Sequence, residues 1–185
     1  MLGEDEVVFD ITRRELAQAV VPTCALAISI SMHIPFTRKQ LDVDVVGEKD
    51  ELTSNYIRSA RYTDSALAPL LAWIDTAECM QNATIVITAD HFILSGTNGI
   101  PFIVRSPTIE NTRELTEQTY HKDVFSTVLH AIGQQNYYFR GLGEDLLADS
   151  VSYRTEHWKL HQLSEKLIHV NYFADKSPNP LQTTN

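Results

Sequence analysis

Hydrophobic positions change their spacing several times along the 185-residue chain, and each change marks a predicted element. In residues 4–20, Val8, Ile11, Leu16 and Ala19 fall roughly on one side of a 3.6-residue period. Acidic residues occupy the first turn, where the helix dipole favours them, and Pro22 follows as a stop, so the spacing predicts a helix. Over residues 24–33 the period drops to two. Leu26, Ile28, Ile30 and Met32 share one face, and Ala27, Ser29, Ser31 and His33 the other, which predicts a strand with one apolar and one small, polar face. After a polar connection containing Pro35 and Gly47, Leu52, Tyr56, Ala60, Thr63, Leu67, Leu70 and Ile74 recur every three or four residues. They predict a long amphipathic helix, with Pro69 either kinking it or dividing it into two shorter helices.

Residues 83–89 (A-T-I-V-I-T-A) are short, β-branched and apolar on both faces, as in a strand buried within a sheet. Residues 100–106 read as another strand, with Pro101 tolerated at its start or at an edge. Residues 123–132 carry Val124, Phe125, Val128, Leu129 and Ile132 on one side and are closed by Gly133, as a helix would be. Residues 157–162 and 167–173 alternate around a polar connection and predict a β-hairpin, and the tail 176–185 is expected to be disordered. Helix and strand in alternation indicate an α/β layered sandwich with a mainly parallel sheet flanked by helices. In such sheets, sites form beyond the carboxyl ends of the strands. His33 and the Asp90–His91 pair would then meet on one rim.

Charge narrows the classes of function. Against 24 acidic residues stand 15 basic ones, a formal net charge of −9, which argues against nucleic-acid binding. The apolar run 24–32 is interrupted by serines and far short of the ~20 residues of a membrane helix, so the chain is expected to be soluble. The acidic first ten residues lack a signal-peptide layout. Cys24 and Cys79 sit in apolar settings without metal or redox spacing and read as buried thiols.

Asp90 and His91 follow the 83–89 strand directly. A carboxylate and an imidazole suit zinc or manganese, whose sites usually take three or four protein ligands. Adjacent strand residues face opposite ways, so both reach one ion only if the strand ends before them and the backbone turns. The stretch 92–99, with two glycines, permits that turn. Other histidines invite simpler readings. His121 suits the surface at a helix start, His130 complements a helix C-terminus, and His157 and His161 are same-face strand neighbours. The Gly141–Gly143 pair lacks the third glycine and preceding strand of a phosphate loop.

The ordered set of segments resembles the carboxyl-terminal half of sulfatase-like enzymes of the alkaline phosphatase superfamily, and within them the lipoteichoic acid synthase and phosphoglycerol transferase group. The residues carrying the resemblance are S-M-H-I-P-F at 31–36, N-Y-I-R-S-A-R-Y-T-D-S-A-L at 55–67 and T-A-D-H at 88–91. I-P-F-I-V-R-S-P at 100–107, H-K-D-V-F-S-T-V-L-H-A-I-G at 121–133 and Y-F-R-G-L-G-E-D-L-L at 138–147 extend it, so that it covers roughly residues 4–150. It implies that Asp90 and His91 bind the catalytic divalent cation (Mn, Zn, Mg or Ca) and that His33 contacts the phosphate or sulfate of an ester substrate. It implies residues 1–150 as a carboxyl-terminal portion of the catalytic domain, residues 151–175 as a hairpin subregion and residues 176–185 as a tail. The mechanism it implies is metal-assisted phosphoryl or sulfuryl transfer through a threonine or serine-derived nucleophile.

The chain departs from that pattern in two ways. No C-x-P-x-R or S-x-P-x-R signature occurs, so no catalytic nucleophile is assigned, and the missing amino-terminal half becomes an expected partner, beside a possible homodimer. Phe92 follows the Asp-His pair where glycine or tyrosine is common, and only eight residues separate His91 from Ile100. Two functions compete, beside a third in which a shortened but active hydrolase rebuilds its site from Asp90, His91, His33 and His121. One is a part of a phosphoglycerol or phosphoethanolamine transferase type of enzyme, inactive alone and derived from an extracytoplasmic, membrane-attached parent. The other is a non-catalytic remnant serving as a binding or interaction module.

Overall fold

A computed structural model describes residues 4–47, 50–92, 99–112, 114–115, 119–134, 143–148, 162–163 and 165–166. The chain forms two compact units, Met1–Glu110 and Asn111–Asn185.

In the first unit, helix α1 (Asp5–Gln18) packs along helix α2 (Glu51–Thr76). Asp50 caps α2, its carboxylate accepting from the Thr53 amide and hydroxyl at 2.8 Å each, which lowers its pKa. Phe9 of α1 and Tyr62, Ala66, Leu70 and Ile74 of α2 make the buried core, with Ala27, Leu41 and Ile85 packed against it. Each fully buried Phe, Leu or Ile contributes about 2 kcal/mol, so this seam dominates the stability of the unit. Pro69 leaves the Ser65 carbonyl without its helical donor, yet α2 runs unbroken through it, and the division into two helices does not occur. The buried side of α1 also differs from the one read above: Asp5 and Phe9 are buried, whereas Ile11 is exposed.

Beyond a 3-10 turn at Glu78–Met80, β1 (Ile85–Thr88) pairs with β2 (Phe102–Arg105). The pair is antiparallel, where a mainly parallel sheet was expected. The register sets Thr88, the end of β1, against Phe102, the start of β2. Among the described residues this is a two-stranded sheet. Arg105 is ion-paired to Asp75 near the end of α2, and the Thr84 and Ser106 hydroxyls lie 2.8 Å apart, tying both strands to their surroundings.

Residues 24–33 are not a strand. They are irregular up to Ile30 and turn from Ser31 onward, with Leu26 and Ile28 exposed. Alternation fixes which side chains share a face, but a strand exists only when a neighbour completes its ladder, and no described backbone hydrogen bond reaches residues 24–29. Cys24 and Cys79 are exposed free thiols, not buried ones.

In the second unit, helix α3 (Lys122–Ala131) holds residues 143–148. Asp123 is buried and accepts from the Tyr120 amide, the Glu144 amide and the Lys122 ammonium at 2.6–2.9 Å. The Thr127 hydroxyl accepts from the Leu146 amide at 3.1 Å. Gly143 passes so close to the Lys122 carbonyl that a Cβ would overlap it, a packing role and not a phosphate-loop one. His130 pairs through Nδ1 with Asp145 at 2.6 Å, a specific partner beyond the helix dipole. Of the expected C-terminal hairpin, Gln162, Leu163, Glu165 and Lys166 are helical; the rest of it and the 176–185 tail lie outside the described residues. No described helix is long and apolar enough to cross a membrane.

Candidate metal and anion site

The H-I-P-F segment is two linked turns. The His33 amide donates to the Ile30 carbonyl at 3.0 Å, and the Phe36 amide to the His33 carbonyl at 2.9 Å. Phe36 is fully buried, with its ring edge-on to Tyr56 of α2 at 5.3 Å between centroids. Its φ of 65° is a left-handed value that a bulky residue adopts only when its surroundings impose it. Those surroundings are the Ser59 hydroxyl, 2.9 Å from both the Phe36 and Lys39 carbonyls, and the Gln40 amide, which donates to the same Phe36 carbonyl. With Phe36 drawn inward, His33 is left exposed at the surface.

β1 ends at Thr88, so Asp90 and His91 stand in a bend past the strand, as a shared ion requires. Asp90 Oδ1 accepts from the His91 amide at 3.0 Å. His91 Nδ1 lies 3.0 Å from the Phe92 carbonyl, which can only accept, so this nitrogen carries a proton and Nε2 is the one whose lone pair the neutral imidazole offers. Nε2 lies 3.6 Å from Asp90 Oδ2. Bonds of about 2.0–2.2 Å in a tetrahedron set two donor atoms roughly 3.3 Å apart, so a few tenths of an ångström of closure would let one cation meet both. The donor set fits zinc or manganese as half of a site. Both side chains are well exposed, 89% for Asp90 and 64% for His91.

His33 shows the same arrangement, its Nδ1 2.8 Å from the Ile34 carbonyl and its Nε2 turned away from that contact. Among the described residues, no hydrogen bond or ion pair joins His33 to Asp90 or His91, and no third His, Cys, Asp or Glu completes a metal-binding group with them. His121 stands at the N-terminal boundary of α3 and is exposed, as expected of a helix start.

Sequence reasoning missed the support behind His33. Asp5 is fully buried, and its carboxylate accepts from the Ile30 and Ser31 amides and the Thr63 hydroxyl. An acid in a first helical turn reads as a dipole partner. The signal that would have found it is the spacing of Asp5, Phe9, Thr12 and Leu16, which puts Asp5 on the packed stripe.

Comparison with known proteins supports the family resemblance. The sulfatase family model matches residues 2–134. The lipoteichoic acid synthase-like protein YvgJ of Bacillus subtilis (strain 168) is 22% identical over 171 residues, covering 78% of this chain but 28% of its own length. The chain thus spans little more than a quarter of that relative. No solved structure matches. A family match that takes in the H-I-P-F turns, the α1–α2 core, the Asp90–His91 bend and α3 shows that the chain belongs to the sulfatase family.

Proposed function

We propose that the chain is part of a metal-dependent phosphoryl or sulfuryl transfer enzyme of the sulfatase-like type, acting on a phosphate or sulfate ester. The observation that carries the reading is the paired aim of Asp90 Oδ2 and His91 Nε2, 3.6 Å apart, with Oδ1 and Nδ1 already engaged by backbone. Each residue thereby offers one free donor atom on the same side of the bend. Asp90 and His91 hold the divalent cation, which when bound supplies positive charge to neutralise the transferred group. His33, its Nδ1 anchored to Ile34, presents Nε2 to the ester's anionic oxygens and donates to them when protonated.

With no third ligand among the described residues and no sulfatase nucleophile signature in the sequence, this reading assigns the remaining ligands and the nucleophile to the amino-terminal half of the catalytic domain that the resemblance implies. Resemblance to the lipoteichoic acid synthase group supports an extracytoplasmic, membrane-attached parent. The absence of a third ligand among the described residues favours a second reading, a non-catalytic module that keeps the fold and binds without turnover.

Calorimetric titration of the chain with Mn²⁺ and Zn²⁺, beside Asp90→Ala and His91→Ala, separates these. Binding of one ion that both substitutions abolish supports the metal site. Binding that persists unchanged after both substitutions overturns it, and a well-folded chain that binds neither ion points to a half-site whose remaining ligands and nucleophile lie elsewhere.

A further inference from the structure

We propose that Asp5 is the positioning residue for His33, a role that rests on the reading of His33 as an anion contact. Asp5 is at 0% exposure, and both of its oxygens are engaged. Oδ1 accepts from two consecutive amides, Ile30 at 3.1 Å and Ser31 at 3.2 Å, and Oδ2 accepts from the Thr63 hydroxyl at 2.8 Å. Two successive amides converging on one oxygen fix the orientation of two peptide planes. The Ile30 carbonyl, set by that arrangement, receives the His33 amide, and the His33 carbonyl receives Phe36. The orientation of one carboxylate in α1 is thus passed through two turns to the imidazole.

Stability alone gives little reason for this group. Burying a carboxylate is unfavourable unless every lone pair it presents is matched, and an apolar residue beside Phe9 would extend the existing core. Among the described residues, no Lys or Arg pairs with Asp5, while its neighbours are used differently: Glu4 pairs with Lys39, and Glu6 accepts from Tyr62. The start of α1 therefore reaches three places at once, and Asp5 alone reaches the backbone that leads into His33. Thr63 fixes the far oxygen from α2, so the carboxylate cannot rotate away.

The test uses the isotope-labelled 185-residue chain, with amide exchange at Ile30 and Ser31 and the imidazole nitrogen resonances of His33 as readouts. Asp5→Ala is expected to speed exchange at both amides at least tenfold relative to amides in α2, and to move His33 from one tautomer toward a mixture. Asp5→Asn keeps an accepting oxygen and is expected to restore most of the parent signature. Leu70→Ala, which loosens the core away from the turn, is expected to leave the His33 resonances in place.

The positioning role is overturned if folded Asp5→Ala has the parent's His33 resonances, if Asn fails as fully as Ala, or if Leu70→Ala moves them equally. Should Asp5→Ala not fold, Thr63→Val carries the test, with unmoved His33 resonances again overturning it. Titration with inorganic phosphate separates the two layers. Phosphate that perturbs His33 in the parent supports the anion contact, and its failure to do so overturns that reading while the exchange and tautomer data still judge Asp5.

Discussion

The Ser59 hydroxyl lies 2.9 Å from the carbonyl oxygen of Phe36, and both residues are fully buried. This contact joins the middle of α2 to the turn that ends the H-I-P-F segment, at a residue with left-handed φ. Removing it with Ser59→Ala takes away the hydroxyl that lies against both the Phe36 and Lys39 carbonyls and is expected to cost about 1–3 kcal/mol. Phe36→Ala empties a closed ring site against Tyr56 and is expected to cost about 3–5 kcal/mol. Urea unfolding of both variants checks the order. A Ser59→Ala chain as stable as the parent would show that Gln40 alone holds the turn.

Gly143 sets up a comparable test in the second unit. An alanine there drives its Cβ into the Lys122 carbonyl, which belongs to the first residue of α3 and cannot yield without disturbing the helix start. Overpacking of this kind costs about 1–3 kcal/mol. Residues 143–148 are expected to lift from α3, which frees the Leu146 amide from Thr127 and separates Asp145 from His130. Amide exchange at Leu146 measures it, and an unchanged rate in Gly143→Ala would refute the close approach.

Tyr62 gives a pH prediction. Burial, and after it the Glu6 carboxylate at 2.6 Å, push its phenol well above the ordinary value of 10.0. A pKa raised by folding means that the fold favours the neutral phenol. The contribution is complete below the unfolded value, about 10, and is lost as pH rises through the folded one. Phenolate absorbance is therefore expected to leave at least one of the seven tyrosines un-ionised near pH ~11 until urea unfolds the chain. Tyr62→Phe should reduce that lagging fraction by one equivalent; an unaltered titration would place the lag elsewhere.

The three helices were legible in the sequence because a 3.6-residue apolar period is a local property, satisfied within each segment. The strands at 85–88 and 102–105 were legible for the same reason, but their pairing was not. Period two states which residues share a face and nothing about the direction of a neighbour. Residues 24–33 show that limit most plainly, since the alternation is present while no described ladder forms. At the candidate site, Asp90 and His91 stand out in the sequence as an adjacent carboxylate and imidazole at a strand end, and their assignment as ligands comes from the family resemblance. Asp5 and Ser59 were missed because their polarity suits a helix surface, and only the tertiary structure places them inside, while Thr63, already on the apolar stripe of α2, carries no local sign of its bond to Asp5.

Asp90 and His91 sit asymmetrically in the sequence between β1 and β2. Only Ala89 separates the end of β1 from Asp90, whereas ten positions separate His91 from the start of β2 at Phe102. Asp90 and His91 therefore take their place from β1, and a change of length between His91 and Phe102 would leave the pair where the strand sets it.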